Sequence, residues 1–291
     1  MATKFDIYKA VTDSIVKSLE TGVVPWRKPW TGVPNIPTSF ASKKPYRGVN
    51  RFLLDSALHG HTSPFWITYK QAAARGGQVR AGAKGSMCVF WSFVKDRRDP
   101  TGKTTFPFLK YFTVFNLDQI DGLEVPQPEP KPDFDSIQSC EEVVRDWADK
   151  PTIAHNGGDR AFYKPSTDSV SMPEQTAFTS ASAYYATLFH ELGHATGHEK
   201  RLNRGLKDGF GSVGYAKEEL VAELTASMIC GTVGIGNDLT ENSAAYIASW
   251  LRTFKGDPKL VVSAAGAAQK AADMILGTRF DAPAASEESE D

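Results

Sequence analysis

Residues 122–135 read GLEVPQPEPKPDFD, with prolines at 126, 128, 130 and 132 spaced by polar or charged residues. Each proline fixes its own φ and withholds an N–H, so neither a helix nor an interior strand runs through such a stretch. It reads as an extended linker, placed at 123–135. The linker splits the 291 residues into a front domain, 1–122, and a back domain, 136–281, each long enough to bury its own core. A small, acidic tail, 282–291 (APAASEESED), is expected to be disordered. Charge changes sign at the linker. Residues 1–122 hold 18 Lys and Arg against 8 Asp and Glu, a net +10; residues 123–291 hold 15 against 26, a net −11. The overall −1 hides this split, which points only the front domain at polyanions.

Several classes are excluded at once. A chain that is 41% hydrophobic and 23% charged suits folded soluble domains. No apolar run approaches the roughly 20 residues of a membrane span, and MATKFDIYKA lacks the apolar core of a secretory signal. Cys88, Cys140 and Cys230 are far apart with no C-x-x-C spacing, so neither a disulfide framework nor a cysteine zinc site is expected. A cytoplasmic location without membrane contact follows as the expectation.

In the front domain, Phe5, Tyr8, Val11, Ile15 and Leu19 recur at helical spacing and Gly22 supplies a stop. YRGVNRFLLDSALHG reads as a second helix. PFWITYKQAAARGG reads as a short strand followed by a helix. SMCVFWSFV and LKYFTVFNLDQI are strand-like and flank the polar hairpin loop KDRRDPTGKTT. The result is a small-sheet α+β domain. Aromatic and basic residues interleave along it, as single-stranded nucleic acid requires: cations neutralise phosphates, and exposed rings stack on unpaired bases. The candidate contacts are Trp26, Arg27, Lys28 and Trp30 in WRKPW; Lys43, Lys44, Tyr46, Arg47 and Arg51 in KKPYRGVNR; and Trp66, Lys70, Arg80 and Lys84. The same aromatics would equally serve as core, and the same cations as solvated surface.

The back domain contains ASAYYATLFHELGHATGH. In a helix, residues four apart share a face, so His190 and His194 can offer ring nitrogens to one ion. Glu191 is then the general base of an H-E-x-x-H centre. A third protein ligand is needed. His198 lies on nearly the same face but a further turn away, which leaves it better suited to capping or touching substrate than to ligation. YAKEELVAELTASMI offers acids four apart, Glu219 and Glu223, on an otherwise apolar helix that has small residues at Ala222 and Ala226. Glu219 would complete the ligand set, and Glu223 would accept the outer N–H of a ligand histidine. Glu218 sits on another flank. Tyr215 and His155 are candidate donors to a transition-state oxyanion. The strand-like DSVSMPEQTAF reads as an edge strand able to align an extended peptide. Zinc suits two histidines and a carboxylate, and manganese fits the same ligands.

Taken together, YKAVTDSIVKSLETGVVPWRKPW, KPYRGVNRFLL and WITYKQA, with FHELGHATGHEKRLNR, YAKEELVAEL and YIASWL…AAQKAADMIL, resemble the ArdC-type antirestriction proteins of conjugative plasmids. The resemblance covers nearly the whole chain. It implies a front domain that binds single-stranded DNA, similar to the N-terminal part of some plasmid primases. It also implies a mostly helical, zincin-like back domain of gluzincin type, similar to proteases that clear protein from DNA. The implied role is protection of incoming plasmid DNA from host restriction, with a host restriction enzyme or another DNA-bound protein as candidate substrate. The alternative is a DNA-coating or decoy module whose metal site is structural or vestigial.

Overall fold

The computed structural model describes residues 5–26, 36–57, 61–95, 105–124, 126, 136–155, 158–206, 213–236 and 244–278. Arg27, Lys28 and Trp30, most of the proline-rich stretch and the acidic tail lie outside these residues. The described chain divides into two compact units. Unit 1 comprises the described residues of 5–11 and 37–126, and unit 2 those of 12–36 and 136–278. Residues 12–26, read from the sequence as front domain, therefore belong to the second unit. The first helix, α1 (Ile7–Glu20), changes unit after Val11.

Unit 1 is built on a four-stranded sheet. Its strands are β1 (Thr38–Ser39), β2 (Phe65–Thr68), β4 (Ser86–Lys95) and β5 (Thr105–Asn116), in the order β1-β2-β5-β4. The β4–β5 pair is the expected hairpin, in register from Ser86↔Val114 to Lys95↔Thr105. Alternation along the strands sends residues to two faces. Cys88, Val114 and Trp66 pack with Leu54 of α2 (Val49–Ala57). Ile67 packs with Ala72 of α3 (Tyr69–Ala74) and with Leu117 and Ile120. Thr68 and Gln71 form a reciprocal capping box that starts α3. A two-stranded ribbon joins β3 (Gln78–Val79) to β6 (Ile120–Asp121). β4 is an edge strand. The Asn50 side chain accepts from the Val89 N–H at 2.8 Å and donates to the Val89 carbonyl at 2.7 Å. One amide thus occupies the edge as a neighbouring strand would.

Unit 2 is mostly helical. It contains α4 (Ser136–Asp146), α5 (Ala181–Ala195), α6 (Val213–Val233), α7 (Ala244–Gly256) and α8 (Leu260–Leu276). Its three-stranded sheet comprises β7 (Thr152–His155), β8 (Phe162–Lys164) and β9 (Ser169–Met172), in the order β7-β9-β8. β9 is therefore the central strand. The strand within the segment read as a peptide-binding edge is paired on both sides, and the edges belong to β7 and β8. Ser180 caps α5 by accepting from the Ala183 N–H at 3.1 Å. From Leu220 onward α6 is buried on nearly every side, and it packs against α5 and α8. A Cβ at Gly193 would meet Ala222 Cα at 3.0 Å, so the glycine inside HELGH lets α5 and α6 approach closely.

Candidate metal centre

His190 and His194 lie one turn apart on α5, with their Nε2 atoms 3.2 Å apart. Glu219 reaches across from α6, with Oε2 3.6 Å from His190 Nε2 and Oε1 3.5 Å from His194 Nε2. One ligand atom from each residue falls within 4.8 Å of the others, the spacing expected of donors around a single ion. The groups also favour one another's charged forms. Burial works to raise the Glu219 pKa, but the hydrogen bond with His190 and the charges of both histidines outweigh it and hold the carboxyl near about 2. Burial works to lower the His190 pKa, but Glu219 and the carboxylates of Glu191 and Glu223 turn the shift upward. Glu219 is thus ionised at neutral pH, the form a metal ligand needs. Two histidines and a carboxylate fit a divalent ion with an open position.

Glu191 is 8% exposed, and its Oε2 accepts the Tyr163 backbone N–H at 2.8 Å. Tyr163 lies on β8, so the edge strand is what holds the candidate base. Arg160, Phe162, Tyr163, Arg204, Tyr215 and Lys217 line a cleft of about 760 Å³ together with His190, Glu191, His194 and Glu219. Tyr215 hydrogen-bonds Glu219. Burial, then that bond and the carboxylate charge, raise its phenol pKa to about 12.

Glu218, set aside in the sequence reading, lies 3.5 Å from Nδ1 of His194. The Arg204 guanidinium bonds both Glu218 oxygens, at 2.9 and 2.5 Å, and also reaches Thr196 Oγ1 at 2.7 Å and the Gly193 carbonyl at 2.8 Å. Burial would raise the Glu218 pKa, but Arg204 and His194 lower it. Glu218 is therefore the carboxylate beside Nδ1 of His194, the place expected of Glu223. The adjacent acids in YAKEEL were a visible signal, but the partner that selects Glu218, Arg204, arrives from the loop after α5.

Glu223 is 9% exposed and engaged elsewhere. The Trp26 indole N–H donates to its Oε2 at 2.8 Å, and the Tyr246 hydroxyl donates to the same oxygen. Its charge reaches His190 through space. Trp26 is itself 2% exposed, set edge-on to Trp250 and Phe254 at 6.2 and 6.0 Å between ring centres. This corrects its assignment to DNA stacking: the ring is core, and its one polar atom is committed to a buried carboxylate. His155 lies on β7, the edge away from β8, stacked on Tyr184 with Nε2 3.0 Å from that hydroxyl. It is not among the residues that line the cleft. His198 follows α5, where its Nδ1 accepts from the Lys200 N–H at 3.3 Å, and it does not join the ligand set.

The other DNA-contact candidates divide by burial. Trp66 is fully buried beneath α2 and Arg51 is 9% exposed, so neither presents a surface to a base or phosphate. Tyr46 packs on the core of Trp66 and Cys88, and Arg47 is half-buried. Lys43, Lys44, Lys70, Arg80 and Lys84 are exposed. Lys43 lies over the Phe40 ring at 3.8 Å, and Arg80 is paired with Asp121 at 2.8 Å.

Residues 5–115 match the family model described as the N-terminal domain of anti-restriction factor ArdC, and residues 141–267 match a zincin-like metallopeptidase model. The crystal structure of the antirestriction ArdC protein from plasmid R388, metal-free, superposes with a TM-score of 0.76 at 38% identity, covering 95% of this chain and 100% of that one. The chain belongs to the ArdC antirestriction family. The Mn(II)-bound structure of the R388 ArdC protein also matches at a TM-score of 0.76 and 38% identity, with 94% and 98% covered. Two further relatives are DNA primase TraC of Escherichia coli, 40% identical over 95% of this chain, and the uncharacterized protein y4eC of Sinorhizobium fredii, 38% identical over 96% of it. The match covers 94% of the length of y4eC but only 20% of that of TraC. The ArdC family architecture, an ArdC N-terminal domain followed by a zincin-like domain of mixed helix and sheet, accounts for the fold. A divalent metal accords with both the zincin-like domain and the three converging ligands. Among the described residues, no helix is long and apolar enough to cross a membrane.

Proposed function

We propose that this chain protects incoming conjugative plasmid DNA from host restriction, with the front domain holding single-stranded DNA and unit 2 acting as a metal-dependent peptidase on a DNA-bound protein. The observation that carries the peptidase reading is the convergence of His190, His194 and Glu219 beside a Glu191 that faces an open cleft. A site that only braced the fold would need the ligands but neither the glutamate nor the cleft.

When bound, a divalent ion supplies Lewis acidity toward a peptide carbonyl and a water. Zinc suits the ligand set best and manganese is the alternative. Glu218 and Arg204 fix the ring of His194. Glu191, anchored through one oxygen by Tyr163, keeps the other to take a proton from the attacking water and return it to the leaving amine. With a pKa raised to about 12, the Tyr215 hydroxyl keeps its proton at neutral pH, and turned away from Glu219 it would donate to the developing oxyanion. β8, the sheet edge lining the cleft, would align an extended peptide. A host restriction enzyme is the substrate that the antirestriction role favours.

The test combines metal analysis, peptidase assays and restriction protection for the wild type and Glu191→Ala. The variant should retain metal and lose cleavage by about 10²–10⁴-fold. Undiminished cleavage by metal-loaded Glu191→Ala would remove the general base. Restriction protection that survives in the variant would favour the coating role over proteolysis.

A further inference from the structure

Among the described residues, five large apolar side chains are exposed: Phe5, Tyr69, Trp91, Tyr111 and Phe162. Two of them, Trp91 and Tyr111, lie on one face of the β4–β5 hairpin in unit 1. Val89 pairs with Tyr111 and Trp91 with Leu109, so these four share a face. The opposite face carries Cys88, buried under α2. Val89 and Leu109 are 5% and 8% exposed, as core residues should be. Beside them Trp91 is 48% exposed and Tyr111 51%. The start of α1 adds two more rings. Phe5, 56% exposed, lies 5.0 Å from Tyr111 at an interplanar angle of 51°, and Tyr8 lies 6.4 Å from Trp91 at 60°. Clustered rings left half in water forgo burial that a purely structural face would take, which marks a contact surface.

Charge decides the occupant. Residues 1–11 and 37–122, which belong to unit 1, hold 15 Lys and Arg against 6 Asp and Glu, a net +9, and exposed Lys9 adjoins Tyr8 in the chain. An apolar protein partner has no use for that field, and duplex DNA hides the base faces that rings stack on. Unpaired bases on a phosphate backbone use both. We propose that the Phe5, Trp91 and Tyr111 face is the stacking platform for single-stranded DNA. This rests on the reading above that the chain holds single-stranded DNA, and it moves the stacking residues from Trp26 and Trp66 to side chains that solvent reaches.

The experiment is fluorescence anisotropy of the full chain with a labelled oligothymidine of about 20 nucleotides, across a salt series. Trp91→Ala/Tyr111→Ala should weaken binding by about 10-fold or more, because stacking is worth about 1–3 kcal/mol per base. Rings neutralise no phosphate, so the slope of log affinity against log salt should not change. Trp91→Phe/Tyr111→Phe should restore binding to within about 3-fold, because a ring remains to stack. Trp91→Phe alone should lose most of the tryptophan quenching that DNA causes in the wild type, a readout that does not depend on the alanine variant folding. Wild-type binding with an unaffected double alanine variant would overturn the platform and leave the single-strand reading standing. A wild type that binds no single strand would overturn both. Tighter binding of the matching oligouridine, or a double variant that loses self-association while keeping DNA affinity, would also overturn the assignment.

Discussion

In unit 2, Glu191, Glu218, Glu219 and Glu223 sit on two packed helices, and each is bonded to or placed within 4 Å of a named group: the Tyr163 amide, Arg204, the two histidines, and Trp26 with Tyr246. In unit 1, Lys43, Lys44, Lys70 and Lys84 are exposed, Lys43 with its ammonium over the Phe40 ring. The difference follows from the cost of desolvating a charge. A buried carboxylate must be matched by donors or cations, so its position is dictated by its partners. An exposed ammonium stays hydrated, and many positions serve the same field. Unit 2 therefore has residues that cannot be exchanged, whereas the cations of unit 1 act as a sum.

The largest expected effect follows directly. His194→Ala should reduce bound metal to background by elemental analysis, since two donors remain where three are needed. Full metal occupancy in that variant would mean that the convergence in unit 2 is not a metal site. A smaller effect tests whether the match extends outward. Glu218→Gln keeps the shape and removes the charge beside His194 Nδ1, and metal affinity measured by chelator competition should fall about 10-fold. A lower melting temperature with unchanged metal affinity would confine Glu218 to its pairing with Arg204.

A pH titration sharpens the comparison at an ion pair away from the ligands. Burial would raise the Asp168 pKa, but hydrogen bonds from Arg201 and Tyr163 and the Arg201 charge lower it below 3.8. A depressed carboxylate pKa contributes stability above the unfolded value and loses it as pH falls through the folded one. Asp168→Asn should therefore melt earlier than the wild type at neutral pH, with the gap closing below pH 3.8. A gap that persists unchanged at lower pH would show that the pair contributes through packing alone. The smallest effect belongs to unit 1. Lys84→Ala should shift stability by less than about 0.5 kcal/mol and lower the salt slope of DNA binding by about 1 at most. A large loss of binding from this one lysine would break the view that the field is collective.

Periodicity and spacing along the chain were enough to mark the β4–β5 hairpin, the helices of unit 2 and the pair of histidines on α5, because each depends on residues close in sequence. Glu219 was also within reach, since an acid on an apolar helix stands out against its neighbours. The proline run marked a boundary, yet residues 12–26 pack with unit 2, because the apolar face of α1 beyond Val11 finds its core there and no local pattern records which core that is.

What only the tertiary structure decided is which groups meet across long separations. Trp26 looks in sequence like a DNA-stacking residue beside Arg27 and Lys28, but it bonds a carboxylate 197 positions away. Glu218 and Glu223 are equally acidic in sequence, and Arg204 rather than helical spacing assigns the first to His194. β9 is a central strand rather than an edge because β8, earlier in the chain, pairs on its far side. The physical reason is common to all three. Composition and period determine which residues seek burial or charge partners, whereas partner choice is settled by desolvation and packing in three dimensions.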